Sequence, residues 1–409
     1  MPATVAGKET LLPPDPQGPL AALVFKTVAD PFVGKLTYFR VYSGTLRADS
    51  HVYNSVKGKE ERVGTLYFLR GKQQEPTQQV VAGDLGAVTK LAETGTGDTL
   101  TTRDQPVVLP PIEFPEPVFS LALHPRSKAD VDKMSAALAR LVEEDRTLSV
   151  RRDPDTNETI LSGLGESHLE VALDKLRRRF GVDLATSLPK VPYKETITTK
   201  TNAEYKHKKQ TGGHGQYGHV LIELEPLPRG AGFEFSERVV GGAVPKNFFP
   251  AVQKGIEEGL HEGVLAHYPI VDLRVVLYDG SSHPVDSSEM AFKIAAMQAL
   301  KKGVQQANPV LIEPIMNLEV TVPEQFLGDI LSDLNTKRAR VQGMTSSGGV
   351  SVITAQAPLA ELQRYATDLR SLTQGRGTFR MSFSHYEEVP AHLAQGIIAA
   401  AKKAAEQVS

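Results

Sequence analysis

The chain has 409 residues, 40% hydrophobic and 23% charged, a globular balance that excludes a disordered polypeptide and leaves room for several domains. Forty-six Lys+Arg face 48 Asp+Glu, a net charge of −2, so any nucleic-acid contact has to come from a local basic patch. With no cysteine, a disulfide framework, a thiolate metal site and a cysteine nucleophile are excluded, and the absence of tryptophan argues against a sugar-stacking site.

The segment 19–105 consists of short runs rich in Val, Thr, Tyr and Phe: 20–25, 36–42, 51–53, 61–67 and 85–91, with Gly or Asp between them. Such spacing without a helix-period stretch predicts a small antiparallel β-barrel. The prolines at 106, 110, 111, 115 and 117 then read as a stiff linker.

From 117 to 188 the order is β-α-β-β-α-β, a ferredoxin-like split βαβ unit. Its first helix spans 129–144 behind Ser127 as N-cap, and its second spans 166–180, with Leu169, Leu173 and Leu176 on one face and Gly181 as the stop. The region 189–310 mixes β-like runs (196–209, 218–225, 233–240, 271–278) with helices at 246–262 and 288–307. A second split βαβ unit follows over 311–388, with strands at 312–322, 340–344, 350–355 and 378–385 and helices at 324–336 and 359–372. An Ala-rich helix closes the chain within 389–409. The fold class is therefore multidomain α+β: barrel, split βαβ, mixed α/β, split βαβ and a C-terminal helix. No apolar run reaches the ~18 residues that cross a bilayer, since even 18–34 is broken by Lys26 and Asp30. With no basic, apolar leader at Met1, the expectation is a cytoplasmic protein without a membrane partner.

Gly213, Gly215 and Gly218 satisfy the G-x-G-x-x-G spacing of dinucleotide sites, but the alternating run that follows reads as a strand, whereas that fingerprint opens a helix. The glycines instead mark a hairpin tip. Between 194 and 219 five lysines (194, 200, 206, 208, 209) outweigh two glutamates (195, 204), 5 − 2 = +3. Glycine lets backbone N–H groups approach phosphates, lysines supply counter-charge, and Gln216 and Tyr217 can bond or stack on bases. A basic Gly-rich tip is an RNA contact in outline; a turn with no further task is the plainer alternative. His207, His214 and His219, at spacings of seven and five, fit no common zinc pattern.

Asp153, Asp155 and Asn157 begin like an EF-hand loop, but Glu158 stands where glycine is needed, so a β-turn is the better reading. Asp279, His283, Asp286, Ser287 and Glu289 supply the residue types of a hydrolase, yet no nucleophile elbow occurs, and Ser287 or Ser288 reads as a helix cap. Each Gly-Lys pair is followed by Glu9, Leu36, Glu60 or Gln73, so no phosphate loop for a nucleoside triphosphate exists.

Several motifs resemble bacterial translation elongation factor G. Asp30-Pro-Phe-Val-Gly-Lys-Leu-Thr and Arg40-Val-Tyr-Ser-Gly-Thr-Leu46 are similar to its second domain, and Ser162-Gly-Leu-Gly-Glu-Ser-His-Leu-Glu170 to its third. Gly212-Gly-His-Gly-Gln-Tyr-Gly-His219 and Val285-Asp-Ser-Ser-Glu-Met-Ala-Phe-Lys-Ile294 are similar to the fourth. Tyr365-Ala-Thr-Asp-Leu-Arg370, Thr373-Gln-Gly-Arg-Gly377 and His385-Tyr-Glu-Glu-Val-Pro390 are similar to the fifth.

The resemblance runs from about residue 18 to 390 and implies domains two to five, without the family's N-terminal GTPase domain, which would be a further partner. It implies a ribosome-binding part of a factor that promotes tRNA–mRNA translocation. This chain would itself be neither enzyme nor cofactor-binding, while a full-length parent would be a GTPase using GTP and Mg. By position, the residues facing ribosomal RNA or the tRNA–mRNA at the decoding region would be Lys206, Lys208, Lys209, Gly212, Gly213, His214, Gly215, Gln216, Tyr217, Gly218 and His283 at the fourth-domain tip. In the last domain they would be Lys337, Arg338 and Arg340. The sequence departs from the family at His214, Pro284, Lys337, Ala339 and Leu372, which lowers positive charge and implies a divergent paralogue. The alternative is a ribosome-binding paralogue, or a ribosomal protection-type factor, that does not translocate.

Overall fold

The computed structural model describes residues 1–5, 7–30, 34–71, 73–210 and 215–406. The chain divides into two compact units, Met1–Arg152 with Glu158–Pro189, and Asp153–Asn157 with Lys190–Ser409.

In the first unit an eight-stranded antiparallel sheet runs Lys59–Arg62, His51–Asn54, Thr99–Thr101, Ala21–Asp30, Gly34–Ser43, Leu85–Thr89, Leu66–Arg70, Gln73–Thr77. Alternate residues turn inward, so Val24, Phe39, Val41, Val52, Leu66, Val88 and Leu100 form one buried core. Two expectations are corrected here. The run 61–67 is two strands, because Gly64 lies between Lys59–Arg62 and Leu66–Arg70. The Pro-rich stretch is not a free spacer at its start: Val107–Val108 pairs with Pro2–Val5, which pairs with Lys8–Leu11. Val107 and Leu109 are buried with Ala3, Leu12 and Leu23. Proline cannot donate to a ladder, but the residues between prolines can, and two valines suffice for an edge.

The split βαβ unit has strand order Ser149–Arg152, Thr159–Gly163, Phe119–Pro125, Leu184–Ser187, all antiparallel. Helix Lys128–Glu144 starts where Ser127 Oγ accepts from Asp130 N at 3.2 Å, and helix Glu166–Phe180 ends at Gly181 in the left-handed conformation. His168 Nδ1 accepts the N–H of Leu164 at 3.1 Å, which places the ring proton on Nε2, facing Asp145 Oδ2 at 3.0 Å. The turn after Arg152 is closed by Asp153 Oδ1, which accepts from the N–H groups of Asp155 and Thr156.

The second unit has two sheets. Thr201–Lys209, Gln216–Pro226, Leu273–Ser281 and Phe233–Glu237 form one, with the last pair parallel. Helices Phe249–Glu262 and Glu289–Gln306 bury Ile256, Phe292 and Leu300 against Ile222, Leu224, Val275 and Leu277. The other sheet runs Arg340–Ser347, Val350–Pro358, Pro309–Pro323, with Thr378–Glu388 also on Pro309–Pro323. The expected run 196–209 is divided. Lys194–Ile197 pairs with the start of Pro309–Pro323, and only Thr201–Lys209 belongs to the first sheet. The expected helix 359–372 is two, Leu359–Leu362 and Tyr365–Leu372, interrupted at Arg364, whose φ of −110° is not helical. Helix Ala391–Glu406 lays Leu393, Ala394, Ile397 and Ile398 against Tyr193, Ala266 and Leu311. Among the described residues no helix is long and apolar enough to cross a membrane.

Candidate nucleic-acid interface

The basic end of the hairpin Thr201–Lys209/Gln216–Pro226 is set by register: Lys209 faces Gln216, Lys208 faces Tyr217 and Lys206 faces His219. Gly212, Gly213 and His214 lie outside the described residues. Lys206, Lys208 and Lys209 are exposed, and among the described residues no carboxylate lies within ion-pair distance of them. The Lys206 ammonium sits 5.4 Å from the Tyr217 ring centroid, and His207 Nε2 bonds Gln216 Oε1 at 2.9 Å.

A second loop is bolted beside this end. Asp286 Oδ1 accepts the N–H of Gly215 at 3.0 Å, and its carbonyl accepts the N–H of Tyr217 at 2.8 Å. Ser287 Oγ donates to the Tyr217 carbonyl at 3.0 Å and accepts the N–H of His283 at 2.8 Å. His283 Nδ1 accepts the N–H groups of Val285 and Asp286 at 3.3 and 3.2 Å, leaving its exposed ring 6.1 Å from that of Tyr217. Ser281 Oγ holds both the Tyr217 hydroxyl, at 2.7 Å, and His219 Nδ1, at 3.0 Å. Gly218 permits this packing: a Cβ there would lie 2.6 Å from the Ala291 carbonyl oxygen. The structure thus brings Lys206, Lys208, Lys209, Gly215, Gln216, Tyr217, Gly218 and His283 to one end of one sheet.

The hydrolase reading fails on the same bonds. Ser287 Oγ gives its proton to a carbonyl, His283 Nδ1 faces backbone donors, and Ser288 is the helix cap, accepting from Ala291 N at 3.2 Å. Neither Ser287 nor Ser288 has its hydroxyl hydrogen-bonded to the His283 ring, so these residues form no nucleophile–base pair. Among the described residues no three metal-ligating side chains converge.

Lys337, Arg338 and Arg340 do not stand alike. Arg338 donates to both oxygens of the buried Glu313, at 2.6 and 3.0 Å, and to Glu361 at 2.9 Å, and the Glu313 bond pushes the guanidinium pKa further up. Lys337 is 15% exposed, lies 2.7 Å from Asp368 and 3.6 Å from Asp333, and its ammonium pKa is raised: burial lowers it, but these carboxylates outweigh that. Arg340, 73% exposed, makes one bond to Glu387 at 3.0 Å. The three expected RNA-facing cations thus differ in their surroundings: Lys337 pairs with the part-exposed Asp333 and Asp368, Arg338 with the buried Glu313 and the part-exposed Glu361, and Arg340 is the most exposed of the three.

Sequence reasoning missed Ser281 and misjudged Asp286 and Ser287, which join the two loops through backbone groups. No side-chain spacing signals such contacts. It also missed the pairing of Arg338, at φ of 55° just past the helix Leu327–Thr336, with Glu313 and Glu361.

Comparison with known families gives four successive matches: elongation factor G domain 2 over residues 19–103, domain III over 114–187, domain IV over 189–308 and the elongation factor G C-terminus over 310–397. A crystal structure of a protein from Thermus thermophilus superposes with a TM-score of 0.81 at 40% identity, covering 95% of this chain and 58% of that one. The chain thus spans 58% of the length of that solved relative.

Proposed function

Because this chain belongs to the elongation factor G family, we propose that it is the ribosome-engaging part of a translation factor that moves tRNA and mRNA. The observation that carries the reading is the tip: three exposed lysines, a glycine hairpin and the His283 loop, fastened together at the free end of one sheet. Phosphate contacts from the lysines would position the tip, and Gln216, Tyr217 and His283 would meet bases or riboses. Arg340 is the cation of the last domain assigned to ribosomal RNA.

The nucleotide chemistry of the reading belongs to a GTPase domain, which is not among the four matched families. The described part of the glycine hairpin does not resemble a cradle for guanine nucleotide. Gly215 and Gly218 stand at the start of strand Gln216–Pro226, whose N–H groups pair along a ladder, whereas a phosphate cradle needs a helix start.

A second reading, a ribosome-binding paralogue that does not translocate, is favoured by the pairing of Lys337 and Arg338 with carboxylates, which offsets their positive charge. Chemical footprinting tests the first reading. The chain is expected to protect small-subunit RNA at the decoding region, and Lys206→Glu with Lys208→Glu to abolish that protection. Protection elsewhere, unaffected by these changes, would overturn it.

A further inference from the structure

Glu195 has no exposed surface, and among the described residues no cation lies within ion-pair distance of it. Its carboxylate instead collects four backbone N–H groups of one loop. Oε2 accepts from Val264 and Leu265 at 2.7 and 2.8 Å, and Oε1 accepts from Ala266 and Tyr268 at 2.8 and 3.2 Å. Such a nest of backbone donors stabilises a buried anion without a counter-ion. The main chain of Glu195 binds the same loop again: its N–H donates to Pro269 O and its carbonyl accepts from Val271 N, both at 2.9 Å.

That loop belongs to the tip-bearing sheet, since it follows helix Phe249–Glu262 and leads into strand Leu273–Ser281. Yet Glu195 itself stands on Lys194–Ile197, which is hydrogen-bonded into the other sheet, with Glu195 opposite Leu311. One residue is therefore held by both sheets. Neighbouring contacts reinforce the joint: the Tyr193 and Tyr268 rings lie 5.5 Å apart, and the Tyr386 hydroxyl donates to Pro192 O at 3.1 Å. Burial pushes the Tyr193 hydroxyl pKa up to about 12. Gly263, at φ of 68°, completes the clasp, because a Cβ would lie 2.3 Å from Tyr268 O and 2.9 Å from Glu195 Oε1.

We infer that Glu195 is the positioning residue that welds the tip-bearing sheet to the C-terminal sheet, so that both turn as one lever. A contact made by the last domain then fixes where the tip points. The weld does not require that the tip meet RNA, so its test is run off the ribosome and its failure leaves the RNA reading untouched.

The absence of native cysteine allows clean spin-label pairs. Labels at Glu237→Cys and Thr378→Cys span the two sheets, Glu237→Cys with Asn202→Cys reports the tip sheet, and Thr378→Cys with Ser347→Cys reports the C-terminal sheet. In the Glu195→Ala background the cross-sheet distance distribution is expected to broaden about twofold, while both within-sheet distributions keep their widths. Gly263→Ala, which spoils the clasp from the loop side, is expected to do the same and decides the matter if Glu195→Ala does not fold. An unchanged cross-sheet width in the folded variant, or equal broadening of all three pairs, would overturn the weld.

Discussion

The Lys206 ammonium is held over the ring of Tyr217, 5.4 Å from its centroid, and the Tyr217 hydroxyl is itself fixed by Ser281 Oγ at 2.7 Å. A ring quadrupole orients the cation without neutralising it, so the charge remains available to a phosphate. Lys206→Gln and Lys208→Gln are each expected to flatten the salt dependence of binding to ribosomal RNA by about 0.7–0.9 in log K against log salt. Tyr217→Phe should leave that slope unchanged and lower stability by about 1 kcal/mol through the lost Ser281 bond. Titrations at several salt concentrations, with thermal midpoints alongside, check both.

Arg338 and Arg340, two positions apart, should separate stability from binding. Arg338→Met strands Glu313, whose side chain is 3% exposed, and should cost about 3 kcal/mol. Arg340→Gln removes a surface pair and should cost no more than about 0.5 kcal/mol, while reducing the salt slope of ribosome binding by about 0.9. Equal thermal midpoints for the two variants would count against this division.

Gly218→Ala drives a methyl group against the Ala291 carbonyl, which belongs to helix Glu289–Gln306 and cannot rotate away. The hairpin must lift from the helix, at a cost of about 2 kcal/mol. Hydrogen exchange should quicken along Gln216–Pro226 before it does elsewhere in the second unit.

Asp145 gives the first unit an acid-sensitive contact. Burial pushes its carboxyl pKa up, but bonds from Thr147 and His168 outweigh this and hold it below the ordinary value. A pKa lowered by folding contributes stability above the unfolded value near 3.9, lost as pH falls through the folded one. The stability gap between the native chain and Asp145→Asn should therefore shrink as pH falls from about 5 to below about 4. A gap that widened on acidification would contradict the assignment.

Helix ends were legible because they rest on local chemistry: Ser127 and Gly181 bound the helices at the positions the sequence marks. What escaped was long-range. Lys194–Ile197 and Thr201–Lys209 share one β-like composition, and only the pairing of Glu195 with Leu311 assigns the first piece to another sheet. The lysines of the tip were visible as a run of charge, whereas Arg338 looked the same in sequence and is paired with the buried Glu313. Its destination depends on Glu313, 25 residues earlier, and on a backbone turn that no neighbouring residue announces.

The central claim is that the tip acts on RNA movement and not on nucleotide hydrolysis. Its most direct test is to measure translocation rate, ribosome-stimulated GTP turnover and thermal midpoint together in this chain joined to a GTPase domain and carrying Gln216→Ala or His283→Ala. The account predicts translocation about tenfold slower, equivalent to ~1.4 kcal/mol in the barrier, with GTP turnover and midpoint near those of the unaltered protein. Wild-type translocation in both variants, or a lowered midpoint with equal loss of both activities, would contradict it.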